Sequence, residues 1–363
     1  MAPTGDATGA PGDRGRRLAA LRAAVGAPGE LPVELTTVTD TGAVFHDGLR
    51  VVRVDGLRPD REHTVEGVTF CTLPRPPGQL LATVATVSDV HIGETECGHY
   101  EGVNLGPALV SEPGEPPYPE TMARAAASEI AGRDVDVVVA KGDLTSRGDA
   151  DELATFFDVF GQPFGERLHW TNGNHDVCQA SDLLPGQPPA TELIRVAGAR
   201  LALLDTSVPG QTGGRVTDDQ LGWLDEVGAD TDDVTPVLVF GHHPLFHHAA
   251  FTVGIDSAAS ERLVEVFARR PALAGYFAGH SHRNLVRRVQ QTGDVPWAEI
   301  GATKDYPGVW AEYQIYEGGI LQIVHRISSP EALVWTERTR AMFGGLYPSY
   351  SFGSLADRCF RAL

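Results

Sequence analysis

Five groups of polar side chains that can bind metal ions each follow an apolar run of β-strand length. In four of the five groups, a glycine directly precedes the key residue, where the backbone can turn sharply and approach an ion. Because open α/β sheets bind ligands at the carboxyl ends of their strands, these groups can converge on one crevice and predict a metal site there. The groups are Asp89-Val90-His91, Gly142-Asp143, Gly173-Asn174-His175-Asp176, Gly241-His242-His243 and Gly279-His280-Ser281-His282.

In this order, the five groups resemble the sequence blocks of the calcineurin-like metallophosphoesterase superfamily, D-x-H, G-D, G-N-H-D/E, G-H and G-H-x-H. The resemblance covers about residues 80 to 326 and implies an α/β fold, a four-layer α/β/β/α sandwich with a two-metal site between its sheets. It implies two ligand sets that share one carboxylate: Asp89, His91, Asp143 and His282 for one ion, and Asp143, Asn174, His242 and His280 for the other.

Elementary chemistry agrees with a shared carboxylate at Asp143. Two divalent ions about 3.5 to 4 Å apart repel each other, and a bridging carboxylate offsets that repulsion. Mixed imidazole and carboxylate ligands suit Mn, Fe, Zn or Ni and exclude a site that requires thiolates. We therefore expect two divalent or mixed-valence metal ions of this kind as cofactors, and a positive centre that attracts a phosphate inside an acidic protein.

Residues beside the ligands are expected to act on the substrate or to support that action. His175 follows Asn174 and cannot easily bind the same ion, so we expect it to contact the phosphate and to protonate the leaving alkoxide. The resemblance implies the same role. Asp176 either orients the His175 imidazole or serves as a loop or helix-capping carboxylate. His243 is expected to be structural, because the preceding strand turns it away from its neighbour.

Arg147 and His99 are the candidate substrate-binding residues. His99 lies in segment 92–119, which is long and rich in Gly, Pro and Glu. Loops of this length at a site are more often functional than idle, so we expect the segment to form a substrate wall. Segment 303–308 carries one of only two lysines and is either a further part of the site or a surface turn with an ordinary salt bridge.

Two departures separate the sequence from better-known branches of the superfamily. Purple acid phosphatases have Tyr three residues after the bridging Asp and D-x-G in the first block, where this sequence has Ser146 and His91. The Ser/Thr protein phosphatases have a carboxylate at the position of Ser146, although Arg147 is kept. What remains resembles most the bacterial class III cyclic nucleotide phosphodiesterase branch.

The resemblance implies hydrolysis of phosphodiester bonds, including those of cyclic nucleotides. A metal-bridging hydroxide would attack phosphorus, and His175 would be the general acid. Two alternatives stay open: a phosphomonoesterase on the same dimetal site, and a binding or scaffold protein with a decayed enzyme domain. In either enzyme reading, the expected partner is a small-molecule phosphoester substrate.

The elements that must position these groups alternate along the chain, as they do in α/β proteins. The runs that precede the five groups predict strands, and amphipathic stretches between them predict helices. Thr217 and Gln220 form the sequence pattern of a capping box at the third helix. The predicted strands are 83–88, 135–140, 168–170, 236–240 and 274–278, and the predicted helices are 119–131, 149–160, 217–227 and 257–269.

The flanking regions differ from this pattern. We expect a mobile arm at 1–29, a small β module with a Pro-rich linker at 30–78, the metallophosphoesterase domain at 79–328, and a C-terminal segment packed on the core at 329–363. Within the β module, residues 57–65 resemble the fibronectin type III signature, with His63 where that family has Tyr. The module is too short for a full seven-stranded sandwich.

Composition excludes several classes of function. The 48 acidic against 29 basic residues give a formal charge of −19, which repels a nucleic-acid backbone. The apolar runs are far shorter than the roughly 20 residues of a membrane span. The N-terminus lacks the apolar stretch of a secretory signal, so we expect a cytoplasmic protein without a membrane partner. The four cysteines lie far apart and indicate neither disulfides nor a zinc ribbon.

Overall fold

The computed structural model describes residues 33–98, 106, 108–178, 186–230, 235–245 and 254–363. The predicted arm at 1–29 and the candidate His99 lie outside these described residues. The strands are β1 Glu34–Val38, β2 Gly42–Asp47, β3 Arg50–Asp55, β4 Glu62–Val65, β5 Val68–Cys71, β6 Leu80–Val87, β7 Val137–Lys141, β8 Leu168–Thr171, β9 Thr191–Val196, β10 Ala199–Leu204, β11 Val237–Phe240, β12 Leu273–Ala278, β13 Leu285–Arg288, β14 Pro296–Glu299, β15 Val309–Tyr316, β16 Gly319–Arg326 and β17 Cys359–Arg361.

The helices lie mostly between these strands. They are α1 Tyr118–Ala131, α2 Ala150–Phe156, α3 Gln162–Phe164, α4 Asp218–Ala229, α5 Ser257–Arg269, α6 Pro330–Thr339, α7 Tyr347–Ser351 and α8 Leu355–Arg358. A π-helical turn, Phe157–Gly161, joins α2 to α3, so the single helix predicted over 149–160 changes its hydrogen-bonding pattern midway. In the described parts of the chain, no helix combines the length and the apolar character that crossing a bilayer requires.

Two six-stranded sheets form the centre of the molecule. The first has the strand order β17-β16-β15-β6-β7-β8, in which β6, β7 and β8 are parallel and the other strands pair antiparallel. The second has the order β13-β14-β12-β11-β10-β9, with β10, β11, β12 and β14 parallel. All five strands predicted to precede the polar groups belong to these parallel sets.

Successive side chains of a strand point to opposite faces, and this alternation builds the layers. In β7, Val137 and Val139 pack between the two sheets. Val138 and Ala140 face the other way, into the cluster that includes α1 and α2. Helices α4 and α5 cover the outer face of the second sheet with their own apolar cluster. The order helix, sheet, sheet, helix confirms the predicted four-layer α/β/β/α sandwich.

The ends of the helices follow local sequence signals. Gln220 N donates to Thr217 Oγ1 at 3.2 Å, and Thr217 N donates to Gln220 Oε1 at 2.8 Å. This reciprocal pair is the capping box that the sequence predicts at the start of α4. It satisfies backbone donors that a helix N-terminus otherwise leaves free.

The N-terminal strands form two small sheets against the body of the protein. Strands β1–β3 make one sheet, and β4 and β5 form a two-stranded antiparallel hairpin. Thr37 Oγ1 donates to Val324 O at 2.7 Å, and Arg358 Nη2 donates to Leu35 O at 2.7 Å. The strands of the β module are therefore tied to β16 and to the C-terminal segment.

The C-terminal segment returns to the first helical layer. Trp335, Met342 and Tyr347 are buried in the same apolar cluster as Tyr118 of α1. The rings of Tyr118 and Trp335 stack with their centroids 4.1 Å apart. This packing brings residues from the end of the chain close to the carboxyl ends of the central strands.

Candidate metal centre

The loops that follow three central strands, β6, β7 and β12, bend in a conformation that is rare for residues other than glycine. Eight such residues have a positive φ in the described chain, and five of them belong to the polar groups of the sequence. A left-handed backbone costs a residue with a side chain about 1 kcal/mol or more, and such costs concentrate at functional sites. The five are Asp89, His91, Asp143, His280 and His282, with φ between 50° and 65°.

Two glycines allow these loops to approach one another. Gly142 has a φ of +83°, and a Cβ there would lie 2.6 Å from His242 Nδ1. A Cβ on Gly279 would overlap the Ser88 hydroxyl. Side chains at either position would push the ligand loops of the two sheets apart.

Asp143 lies in the middle of the converging side chains. Its Oδ2 is 3.5 Å from His91 Nε2 and 3.3 Å from His242 Nε2. Its other oxygen, Oδ1, accepts a hydrogen bond from His175 N at 2.8 Å. One carboxylate therefore faces imidazoles that arrive from both sheets, which is the position that a bridging ligand needs.

Asp89, His91 and His282 form the group that we call the Asp89 half of the centre. Their possible ligand atoms lie within 4.8 Å of one another. His282 Nε2 is 3.4 Å from Asp89 Oδ1, and the Ser88 hydroxyl donates to Asp89 Oδ2 at 2.6 Å. Asp89 also accepts hydrogen bonds from His280 N, so the first and fifth loops hold each other in place.

Asn174, His242 and His280 form the Asn174 half. His242 Nε2 is 3.3 Å from Asn174 Oδ1, and the His242 and His280 rings have their centroids 5.1 Å apart. His242 Nδ1 donates to the Lys141 carbonyl at 2.8 Å, which leaves Nε2 to face the centre. The structure thus brings all seven predicted ligands together.

His243 lies closer to this half than the sequence suggested. Its Nδ1 is 2.9 Å from Thr206 Oγ1, which suits a structural histidine. Its ring centroid is nevertheless only 4.6 Å from that of His280, and the two residues group with His242. The His243 ring is also 4.8 Å from the His242 ring, so it does not point away from its neighbour as the sequence suggested.

The residues present fit a metal centre. His91 is 3% exposed, and neither of its ring nitrogens has a hydrogen-bond partner among the described residues. A buried imidazole in that condition loses its hydration without compensation unless an ion takes the place of the partner. A mixed set of imidazoles, carboxylates and one amide is the donor chemistry of divalent transition metals.

The charges of the centre also favour cations. Burial lowers the pKa of His242, but the Asp143 carboxylate outweighs that effect and raises the pKa to about 9. Burial raises the pKa of Asp89, but the His282 imidazole outweighs burial and lowers it. The two buried carboxylates thus favour protons on His242 and His282, and metal ions would take the place of those protons.

His175 lies at the edge of the centre. It is half-buried, and its ring centroid is 4.5 Å from that of His91. Its Nδ1 is 2.8 Å from the Ser146 carbonyl, which can only accept a hydrogen bond. The carbonyl therefore fixes the proton on Nδ1 and leaves Nε2 to exchange a proton with another group.

Asp176 does not orient the His175 imidazole, so the catalytic placement of Asp176 needs correction. Its Oδ1 accepts from the Thr145 amide at 2.9 Å and from the Thr145 hydroxyl at 2.6 Å. Its Oδ2 accepts from Gly173 N at 2.8 Å and from Leu144 N at 3.2 Å. Asp176 is therefore a loop carboxylate that ties the second and third loops, and burial, with the nearby Asp143 charge, raises its pKa to about 6.

Of the other predicted residues, Arg147 is exposed beside the centre, and its backbone N–H donates to Glu152. Segment 303–308 is not a surface turn: Lys304 is 4% exposed and Asp305 is 1% exposed. Asp305 Oδ2 accepts from His282 Nδ1 at 3.2 Å. The sequence signal for Asp305 was weak, because an acidic residue beside a lysine is ordinary on a surface.

Sequence comparison finds relatives among bacterial phosphodiesterases. A 3′,5′-cyclic adenosine monophosphate phosphodiesterase CpdA of Pseudomonas aeruginosa is 29% identical over 161 residues, which cover 42% of this chain and 57% of that protein. A cAMP/cGMP dual specificity phosphodiesterase of Mycobacterium tuberculosis is 33% identical over 153 residues, 39% of this chain and 48% of that protein. The chain thus spans about half the length of the curated relatives it matches.

The fold has a solved counterpart. The crystal structure of a dimetal phosphatase from Danio rerio superposes with a TM-score of 0.55 at 18% identity, covering 69% of this chain and 98% of that one. The family model of the calcineurin-like phosphoesterases matches residues 82–284, which contain all five polar groups. These matches confirm the family that the sequence motifs predict: the chain belongs to the calcineurin-like phosphoesterases.

Proposed function

We propose that the chain is a dimetal phosphodiesterase that acts on small diesters, including nucleoside cyclic phosphates. The observation that carries the proposal is Asp143, whose carboxylate faces imidazoles from both sheets beside the half-exposed His175. Relatives named for cyclic nucleotide hydrolysis, and a glycerophosphodiester phosphodiesterase of Enterobacter lignolyticus that is 30% identical over 168 residues, support this substrate class.

In this proposal, two sets of residues would hold the ions. Asp89, His91 and His282 would bind one, Asn174, His242 and His280 the other, and Asp143 both. When bound, two such ions supply Lewis-acid stabilisation of the phosphate and activation of the attacking water. The strained loops hold the ligand atoms in place before substrate arrives, which lowers the cost of reorganisation during the reaction.

His175 would protonate the departing oxygen. A protonated His175 donates from Nδ1 to the Ser146 carbonyl and has its second proton on Nε2. A ring nitrogen of His175 lies within 4.8 Å of possible ligand atoms of His91 and Asp143, so a proton of this ring would be close to a phosphate bound at the centre. Asp176 supports this step indirectly by fixing the loops on both sides of His175.

The charges near the centre favour a diester over a monoester. A monoester dianion carries one more negative charge, and it gains more from nearby cationic side chains. Arg283 donates to Glu299 at 2.7 Å, and Lys304 is paired with Glu94. Lys141 lies beneath the centre and donates to the Ala278 carbonyl at 2.7 Å. These three cations are already bound to protein groups, and the candidate substrate-binding Arg147 supplies one positive charge, which matches a diester monoanion better than a monoester dianion.

The test is a comparison of two substrates that share a leaving group. We would measure kcat/KM for bis(4-nitrophenyl) phosphate and for 4-nitrophenyl phosphate with added Mn²⁺, and then assay 3′,5′-cyclic AMP. We expect the diester and the cyclic nucleotide to be hydrolysed better than the monoester, and chelation to abolish all activity. A clear preference for the monoester would favour the phosphomonoesterase, and metal-free protein without activity would favour the scaffold.

A further inference from the structure

His242 and His282 are oriented in different ways although both face the centre with Nε2. His242 Nδ1 donates to a backbone carbonyl, that of Lys141, at 2.8 Å. His282 Nδ1 donates to a side chain, the Asp305 carboxylate, at 3.2 Å. A charged acceptor does more than fix the ring, because it also raises the basicity of the opposite nitrogen toward a metal ion.

The Asp305 carboxylate is itself held from two sides. The Tyr347 hydroxyl, from α7 in the C-terminal segment, donates to Asp305 Oδ1 at 2.6 Å. The Lys304 ammonium lies 3.6 Å from Asp305 Oδ2. Both Asp305 and Tyr347 are nearly inaccessible to solvent, with exposures of 1% and 4%. In a buried network of this kind, the acceptor oxygens have little freedom to find other partners.

This network lies outside the part of the chain that the family model matches. The match ends at residue 284, whereas Asp305 follows it and Tyr347 comes from the last 17 residues. The ligand His282 is inside the match. The support of one ligand thus depends on two segments that this chain adds to the matched region.

We propose that Asp305 is the positioning residue of His282 and that the Tyr347 hydroxyl holds the Asp305 carboxylate in place. The C-terminal segment then sets the affinity of the Asp89 half for its metal ion. The proposal rests on the proposed dimetal function. It predicts that substitution of Asp305 or Tyr347 weakens metal binding at the Asp89 half but not at the Asn174 half. In the Asn174 half, His242 is held by a backbone carbonyl, which a side-chain substitution does not remove.

The test is Mn²⁺ titration of the metal-free full chain, with free Mn²⁺ counted by electron paramagnetic resonance. We expect two binding steps in the unsubstituted protein. Asp305→Asn should weaken one step by about 10–100-fold and leave the other unchanged. Tyr347→Phe should weaken the same step by about fivefold, the effect of one hydrogen bond. Asp305→Glu, which keeps the carboxylate, should recover part of the loss.

Matched variants separate this effect from damage to the fold. Asp136→Asn alters an exposed carboxylate that accepts from Thr83 N, and Tyr316→Phe removes a hydroxyl that donates to Gln314. Both should leave the two steps unchanged. The melting temperature of each metal-free variant checks that it is folded. If Asp305→Asn does not fold, Tyr347→Phe decides the outcome.

Two results would overturn the proposal: unchanged steps in the folded variants, or equal weakening of both steps. Hydrolysis is assayed on the same samples. An unsubstituted protein that binds two ions but hydrolyses no phosphoester would contradict the proposed function and leave the metal-binding result valid. Loss of one step in Asp305→Asn, with full metal loading of the unsubstituted protein, supports the positioning role whatever the substrate is.

Discussion

The candidate metal centre and the Glu312 cluster, which consists of Glu312, His325 and Arg133, both contain buried ionisable side chains. In the cluster, Glu312 and His325 are buried, whereas Arg133 is exposed. In the cluster, Glu312 accepts from His325 Nε2 at 2.7 Å and from Arg133 Nη1 at 3.1 Å. In the centre, Asp89 and Asp143 lie side by side, and within the described chain their ion pairs are with histidines rather than with lysine or arginine.

The two regions also differ in backbone conformation. On the antiparallel strands β15 and β16, Glu312 pairs with Ile323 and His325 pairs with Trp310, so their side chains are diagonal neighbours on one face of extended chain. The ligands of the centre lie on loops, and five of them have a positive φ. In the centre, the negative charge of two carboxylates is not compensated by lysine or arginine among the described residues and the backbone is strained, which indicates a site for a positively charged ligand. In the Glu312 cluster, the charge is compensated and the strands are regular, so we expect this cluster to affect stability only. Substitutions should therefore affect the two regions differently.

The largest effect is expected from Asp143→Asn. The substitution removes the charge that offsets the repulsion between two ions, and its amide oxygen can still accept from His175 N. Metal content should fall from near two ions per chain toward zero, as measured by elemental analysis of the purified protein, and hydrolysis should fall to background. Asp136→Asn is the control with unchanged metal content. Full metal loading of Asp143→Asn would refute the bridging assignment.

The second-largest effect, that of His175→Ala, is expected on the rate of hydrolysis rather than on metal content. His175→Ala should keep both ions and lose about 10²-fold or more in kcat with alkyl or ribose diesters, because these leaving groups need a proton. With a nitrophenyl diester the loss should be smaller. His63→Ala, in the exposed hairpin of β4 and β5, is the control. Equal losses with both kinds of diester would mean that His175 binds phosphate without acting as an acid.

A third substitution tests the close approach of the two sheets. Gly279→Ala would place a methyl group against the Ser88 hydroxyl and 2.6 Å from Asp89 Oδ2, so it should destabilise the fold by about 3 kcal/mol and weaken metal binding. Gly222→Ala is the matched control, because nothing lies within 4 Å of its Cβ position in α4. It should stabilise the protein by about 0.5–1 kcal/mol in urea unfolding. Equal stability of the two variants would contradict the tight packing at Gly279.

That these side chains meet at one centre could be predicted from the sequence, because the position of each is encoded locally. A strand, a glycine and a polar residue fix where the side chain emerges, and parallel strands bring their carboxyl ends to one edge. The same logic predicts the layers, since strands buried on both faces read as apolar runs. Thus Asp89, Asp143 and His242 could be found without knowledge of any long-range contact.

The surrounding residues could not be found in this way. Asp305 meets His282 across 23 residues, and Tyr347 meets Asp305 across 42. No short pattern specifies such pairs, because they depend on how the C-terminal segment folds back. Asp176 shows a different difficulty. It follows His175 directly, yet its carboxylate points to the backbone of the second loop, and sequence adjacency does not fix side-chain direction.

The smallest effect on the centre is expected from Glu312→Gln, which alters the balanced cluster. Burial raises the pKa of Glu312, but the hydrogen bond from His325 and the Arg133 guanidinium outweigh it and lower the pKa to about 2, from an ordinary value of 4.5. A carboxyl group with a lowered folded-state pKa stabilises the protein above the unfolded pKa, and this contribution is lost as the pH falls through the folded pKa.

Glu312→Gln should therefore lower the free energy of unfolding at pH 7 by about 1–3 kcal/mol. The difference from the unsubstituted protein should shrink below pH 4.5 and vanish near pH 2, where the glutamate is itself protonated. Urea unfolding of both proteins at pH 7, 5 and 3 measures this difference. Metal content and kcat/KM at pH 7 should stay unchanged. A stability difference that does not vary with pH would show that the lost contribution is packing rather than charge, and altered metal content would mean that the cluster and the centre are coupled.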